Sequence, residues 1–196
     1  MPRKIPDLEA TILQKAEKLF MQEGYVDLDM KKIAKACGTS VGNLYNYFSS
    51  KTDLFLAASS AWIPWIDTEY NQLQASDKTP LEKLEAFLFR FVEVLQTSSG
   101  LWEEVFSTST RDIPAAELQL LRDHLRQISQ AVTTRVDDFL AEIAVEQPKV
   151  TSLRLHPDKR LACCLLSTTK LLSRRFPDEN EANQNFIRAF LGALTH

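Results

Sequence analysis

The stretch that decides the fold reads IAKACGTSVGNLYNYF and covers residues 33–48. It predicts two short helices separated by a tight turn at Gly38, since glycine tolerates the positive φ that such a turn requires. Ala34 is small enough to let the two helices cross closely. The apolar positions that would join the helices are Ile33, Cys37, Leu44 and Phe48. This arrangement is typical of a helix-turn-helix that places its second helix in a DNA major groove, although an ordinary helical hairpin also has this spacing.

Helical periodicity dominates the sequence on both sides of this stretch. Apolar residues recur at intervals of three and four over residues 7–23, and Gly24 follows them as a C-cap would. Residues 51–73 predict a long helix with a kink or break at Pro64, because proline lacks a backbone donor. Residues 147–156 are expected to form an irregular loop. We therefore predict an all-α fold of about nine helices without a sheet.

Charge and hydropathy indicate a soluble protein. The 196-residue chain contains no apolar run that approaches the roughly 18 residues of a membrane span. Its first residues include two basic side chains but no apolar run after them, so we expect no secretory signal and a cytoplasmic location. The net charge is −3, yet residues 1–53 carry eight basic and seven acidic residues, which gives +1. DNA binding needs positive charge only on the contacting face, so this balance does not exclude it.

Residues that could support an enzyme or a metal site are scarce. Cys37, Cys163 and Cys164 are expected to be small buried side chains rather than a disulfide framework. The three histidines lack metal-ligand spacing, and no Gly-rich phosphate loop, HExxH or GxSxG occurs. Asp123 and His124 are adjacent in sequence, but neighbouring helical residues point apart. We expect no enzyme activity, no cofactor and no metal.

Residues 10–57 resemble the DNA-binding domain of the TetR (tetracycline-repressor) family. The stretches that carry the resemblance are ILxxAxxLFxxxGY from residue 12, IAxxCGTS from residue 33 and VGNLYNYFxxKxxL from residue 41. Asp29 and Thr39 depart from it, since the family usually has Thr and often Val there. The resemblance implies a helix-turn-helix domain over residues 1–50 and a helical dimerisation and ligand domain over residues 51–196. It implies a dimer that binds a pseudo-palindromic operator, represses transcription and is released by a small apolar or aromatic ligand.

At the matched positions, nine residues are predicted to face operator DNA: Lys31, Ser40, Val41, Gly42, Asn43, Tyr45, Asn46, Tyr47 and Lys51. The ammonium of Lys51 and the hydroxyls of Tyr45 and Tyr47 can reach phosphates, although Tyr47 can equally serve packing. Ser40 can cap the recognition helix and direct its N-terminus at a phosphate.

The remaining predicted contacts concern bases. Asn43 and Asn46 each offer a donor and an acceptor, which suits the edge of adenine in the major groove. Val41 can touch a thymine methyl group, and Lys31 can reach a phosphate or a guanine. Gly42 has no side chain and lets the helix approach the groove.

The C-terminal part of the chain carries two weaker patterns. An aromatic cluster could line an apolar ligand pocket or simply form core: Trp62, Trp65, Phe87, Phe91, Trp102 and Phe106. Apolar residues at helical spacing in the last two helices could form a four-helix dimer interface or pack within one chain: Leu161, Leu165, Thr168, Leu172, Phe186, Phe190 and Leu194. There are two alternative classes of protein: an enzyme, and a helical interaction protein that has lost DNA binding. Lys51 and the paired asparagines argue against lost DNA binding.

Overall fold

The computed structural model describes residues 6–97, 113–154 and 159–195. Within these ranges the chain is all-α, as predicted, with ten α-helices and one 3-10 helix (Ser59–Ala61). The α-helices are α1 (Pro6–Glu23), α2 (Met30–Cys37), α3 (Val41–Tyr45), α4 (Lys51–Ala58), α5 (Trp62–Gln74), α6 (Pro80–Thr97), α7 (Ala115–Glu146), α8 (Pro148–Arg154), α9 (Arg160–Arg175) and α10 (Asn180–Thr195).

Local capping signals define the two helices of residues 33–48. The Asp29 side chain accepts a hydrogen bond from the backbone N–H of Lys32 at 2.7 Å and so begins α2. Gly38 ends α2 with a φ of 70°, in the left-handed conformation predicted for the turn. The backbone N–H of Thr39 then donates to the carbonyl of Ala34 at 3.0 Å. The predicted helix-turn-helix geometry is therefore present, although the second helix ends at Tyr45 and does not extend to Phe48 as we expect from the sequence.

The predicted break in the long helix after Lys51 is confirmed, one turn before Pro64. The chain leaves α-helical geometry at Ser59, whose hydroxyl donates to the carbonyl of Phe55 at 2.7 Å. Regular helix resumes at Trp62, so Pro64 lies in the first turn of α5, where a missing backbone donor costs little. The break thus arises because Pro64 cannot donate to the carbonyl one turn upstream.

The expected irregular loop over residues 147–156 is wrong for most of its length, because α8 occupies Pro148–Arg154. Pro148 is its first residue, a position that tolerates proline, and Val150 is buried. Arg154 donates to both carboxylate oxygens of Asp137 at 3.0 and 3.2 Å. Tertiary contacts of Val150 and Arg154 stabilise a helix that periodicity alone does not reveal.

The described residues form two compact units. The first combines residues 6–62 with 113–126, and its core includes Phe20 and Phe55, whose rings meet edge to face at 5.1 Å. The second combines residues 63–96 with 127–154 and 159–195, and its core includes Phe139. No helix in the described ranges has the length and apolar character needed to cross a membrane.

Candidate nucleic-acid interface

Helix α3 has one buried side and one outward side. Leu44 is fully buried and packs on the side of α2, whose residues Ile33 and Cys37 are also buried. On the opposite side, Tyr45 is 50% exposed and Asn46 is exposed. The apolar residues thus anchor the helix, while hydrogen-bonding side chains face outward.

The beginning of α3 is held by two consecutive hydroxyl residues. Ser40 has extended backbone geometry, and its Oγ accepts from the backbone N–H of Asn43 at 3.1 Å. This confirms the predicted capping role of Ser40. The side-chain Nδ2 of Asn43 donates to the Oγ1 of Thr39 at 2.9 Å. Asn43 is half-buried, whereas Asn46 at the end of the helix is exposed.

Gly42 lies in the exposed first turn of α3, where neither the backbone conformation nor the packing of the described residues requires glycine. Its backbone does not adopt a positive φ. A Cβ added there would meet no heavy atom of the described chain within 4 Å. Because glycine lowers helix stability, the residue is better explained by the close approach of an external surface.

Lys51 has an intramolecular role that the sequence did not reveal. Its Nζ donates to the carbonyl oxygens of Tyr25 at 2.7 Å and Leu28 at 2.8 Å. The ammonium also lies 4.2 Å from the centre of the Tyr25 ring, a cation–π contact. The ammonium predicted to bind phosphate therefore fastens α4 to the segment between α1 and α2. Lys51 is more than 20 residues from Tyr25 and Leu28 in the sequence, so helical periodicity does not predict these contacts.

Other predicted phosphate contacts differ in exposure. Lys31 is exposed on α2, whereas the adjacent Lys32 forms an ion pair with Glu23. Tyr45 is exposed, but Tyr47 is half-buried beside the ring of Phe48, with the ring centres 6.5 Å apart. Tyr47 therefore fits the packing alternative better than Tyr45 does.

A partly buried series of hydrogen bonds connects Tyr25 and Thr52 with the start of α7. The Thr52 hydroxyl donates to Oε2 of Glu117 at 2.5 Å. Since a hydroxyl has one hydrogen, the Tyr25 hydroxyl, 2.8 Å away, donates to Thr52. Burial raises the pKa of Tyr25, so it stays a neutral donor. These hydrogen bonds could not be predicted from the sequence either, because Glu117 is 65 residues from Thr52.

The structure divides the predicted aromatic ligand cluster. Trp62 belongs to the first unit, where its indole N–H donates to Glu17 at 2.7 Å and its ring lies 6.2 Å from that of Phe55. Phe87 belongs to the second unit and is buried against Phe139 at 5.6 Å. Two members are half-buried in the second unit and two lie outside the described residues: Trp65, Phe91, Trp102 and Phe106. The contacts of Trp62 and Phe87 are those of packed aromatic residues.

One of the predicted dimer residues on α9, Leu165, does not lie on the accessible side of the helix. Leu165 is only 2% exposed in the isolated chain and packs in the core, where a partner cannot reach it. The outward side of α9 instead presents Cys163, Cys164 and Leu171, which is 64% exposed. These two cysteines are thus not buried as expected, unlike Cys37.

The remaining predicted dimer residues vary in exposure. Five are half-buried: Leu161, Thr168, Leu172, Phe190 and Leu194. On α10, Phe186 is 50% exposed and its ring stacks on that of Phe190 at 6.5 Å. The dimer interface therefore stays a prediction, for which all of these residues except Leu165 are at least partly accessible.

Comparison with known proteins gives a family match for the segment that contains the helix-turn-helix. Residues 12–58 match the family model described as bacterial regulatory proteins, tetR family. The transcriptional repressor KstR2 of Mycobacterium tuberculosis is 25% identical over 85 residues, which cover 43% of this chain and 42% of KstR2. This chain therefore aligns with less than half the length of that relative.

Two solved structures share the fold over nearly the whole chain. A TetR-family transcriptional regulator from Rhodococcus sp. has a TM-score of 0.70 at 16% identity, with 98% of this chain and 100% of that one covered. The regulator FadR from Bacillus subtilis, solved in complex with stearoyl-CoA, has a TM-score of 0.64 at 17% identity and covers 95% and 97% of the two chains. Residues 12–58, which include the helix-turn-helix, thus match the tetR family of bacterial regulatory proteins, and nearly the whole chain shares its all-α fold with the two solved structures.

Proposed function

We propose that this chain is a cytoplasmic transcriptional repressor that binds a pseudo-palindromic operator as a dimer and is released by a small apolar or aromatic ligand. Residues 1–50 bind DNA, and residues 51–196 dimerise and hold the ligand. The observation that carries this proposal is the outward face of α3. There Gly42 leaves room for close approach, and Tyr45 and Asn46 are exposed with hydrogen-bonding groups suited to phosphates and base edges.

The dimer follows from the shortness of the recognition helix. Five residues of α3 contact too few base pairs to specify an operator, so two copies must read two half-sites. The exposed apolar side chains Leu171 on α9 and Phe186 on α10 supply a surface for this association. Burying them between protomers would remove apolar area from water and stabilise the pair.

A similar solved structure and the aromatic residues of the second unit support the proposed effector. FadR of Bacillus subtilis was solved with stearoyl-CoA, a molecule with a long apolar chain. The second unit of the present chain carries half-buried aromatic side chains, Trp65 and Phe91, that could contact an apolar ligand. The interruption of the helix at Ser59–Ala61 gives the chain a weak point through which a ligand could shift the operator-binding helices.

A gel-shift titration with the DNA upstream of the protein's own gene tests the proposal. We expect a complex that survives excess random-sequence duplex, because specific sites are bound about a thousandfold or more tightly than random DNA. Asn46→Ala should reduce the preference at one or two positions, while binding to random duplex is retained. An enzyme, or an interaction protein without DNA binding, would give no complex at any concentration. Equal binding to upstream and random DNA would also contradict the proposal.

A further inference from the structure

The hydrogen bond between Thr39 and Asn43 joins the turn of the helix-turn-helix to one of the side chains that we predict to face operator DNA. We propose that Thr39 is a positioning residue for sequence recognition, whose hydroxyl holds the Asn43 amide in the orientation that selects adenine. This inference rests on the proposed binding of operator DNA. It gives a function to Thr39, which departs from the residue that the family resemblance leads one to expect.

Thr39 is itself fixed relative to α2. Its backbone N–H donates to the carbonyl of Ala34 at 3.0 Å, directly after the left-handed Gly38. The side chain is half-buried and branched at Cβ, which restricts rotation about χ1. The position of its hydroxyl is therefore set by the end of α2, the helix on which the recognition helix packs.

Asn43 is held at two points. Its backbone N–H donates to the Oγ of Ser40 at 3.1 Å, and its side-chain Nδ2 donates to the Oγ1 of Thr39 at 2.9 Å. A side-chain amide has two N–H hydrogens and one carbonyl oxygen. With one hydrogen engaged by Thr39, Asn43 retains one donor and one acceptor, and their order in space is fixed.

Only adenine offers an acceptor, N7, next to a donor, the N6 amino group, in the major groove. Guanine offers two acceptors, cytosine one donor and thymine one acceptor. An Asn43 amide fixed by Thr39 therefore makes both of its hydrogen bonds with adenine alone. An amide released from Thr39 can rotate and turn its oxygen to cytosine or its nitrogen to guanine or thymine.

The test is selection from a library of randomised duplex DNA, carried out with the full chain and its variants. Thr39→Val removes the hydroxyl at nearly constant volume, whereas Thr39→Ser keeps it. We expect Thr39→Val to lose about tenfold in preference for adenine at one position of each half-site, in line with the value of one bidentate contact. Thr39→Ser should restore the wild-type preference. Binding to random duplex and the thermal unfolding midpoint should change little, because the Thr39 hydroxyl bonds a side-chain amide, while the Ser40 hydroxyl still caps the backbone of α3.

A double-mutant cycle separates positioning from direct contact. If Thr39 acts through Asn43, Thr39→Val should have no further effect on base preference in an Asn43→Ala chain. A Thr39→Val effect that persists there would mean that Thr39 touches DNA itself and would overturn the inference. An unchanged adenine preference in Thr39→Val would overturn it as well. If the wild-type chain enriches no sequence, the proposed operator binding fails, which is a different result.

Discussion

The Nζ of Lys51 lies 2.7 Å from the carbonyl oxygen of Tyr25 and 4.2 Å from the centre of its ring. This contact joins the first residue of α4 to the segment that follows α1. The ammonium also donates to Leu28 at 2.8 Å. A lysine that the sequence assigns to the DNA backbone therefore fixes the position of α4 within the folded domain.

Lys51→Met should lower the free energy of unfolding by about 1.5 to 3 kcal/mol, the usual contribution of a hydrogen bond to a charged group. Urea denaturation measures the change. Lys31→Met is the matched control, because Lys31 is exposed on α2. It should leave stability unchanged and reduce the salt dependence of DNA binding by about one counterion. If Lys51→Met were as stable as wild type and lowered the salt dependence instead, Lys51 would be a phosphate contact only.

Gly42→Ala should separate folding from DNA binding. The added methyl group meets no heavy atom of the described chain within 4 Å, and alanine favours helix by about 1 kcal/mol over glycine. We expect unchanged or slightly higher thermal stability together with weaker binding to operator DNA. The measurement is an unfolding curve beside a binding titration of the same preparation. Full DNA affinity in Gly42→Ala would show that α3 does not approach the groove closely at this residue.

The proposed dimer face on α9, which includes the exposed Leu171 and not the buried Leu165, predicts opposite effects for these two leucines. Leu171→Glu should give a folded monomer in sedimentation, because Leu171 is 64% exposed in the isolated chain. Leu165→Ala should cost about 2 to 5 kcal/mol of stability, because it empties a core position. Leu120→Glu on α7 is the control, since Leu120 is also exposed but lies outside the proposed face. A dimer that survives Leu171→Glu would refute this placement.

Acidification should destabilise the chain through His124. Its Nε2 lies 2.8 Å from the Ser59 hydroxyl, its ring meets Phe55 edge to face, and burial lowers its pKa below the usual 6.5. The unfolded chain then binds more protons than the folded chain between those two pKa values. The contribution of neutral His124 is therefore complete above pH 6.5 and decreases as the pH falls below it. His124→Gln cannot titrate, so urea midpoints should show wild type losing stability relative to this variant on acidification. The pH range follows from the ordinary histidine pKa of about 6.5. A difference in urea midpoint between the two proteins that stays constant from pH 7.5 to pH 5 would refute the prediction.

Short-range signals were sufficient to predict the helix-turn-helix. Asp29, Gly38 and Ser40 act on backbone groups within a few residues, and Gly38 and Ser40 have the roles predicted for them. Proline in a helical pattern likewise located the break before α5. These features depend on local backbone geometry, which the order of residues specifies directly.

Long-range contacts could not be predicted from the order of residues. The partners of Lys51 and Thr52 are 23 to 65 residues away, and no periodicity connects them. On α9, apolar residues occur on both the core-facing and the outward side, so spacing alone could not distinguish Leu165 from Leu171. The side that faces the core is decided by packing against the other helices of the unit.

The central claim is that two copies of α3 bind a symmetric operator. The most direct test selects sequences from randomised duplex DNA with the wild-type chain and measures the molecular mass of the complex. We predict enrichment of two inverted half-sites whose centres lie about one helical turn, or a multiple of it, apart, with at least two protomers bound to each duplex. No enrichment over the starting library, or one half-site bound by a single protomer, would contradict the account.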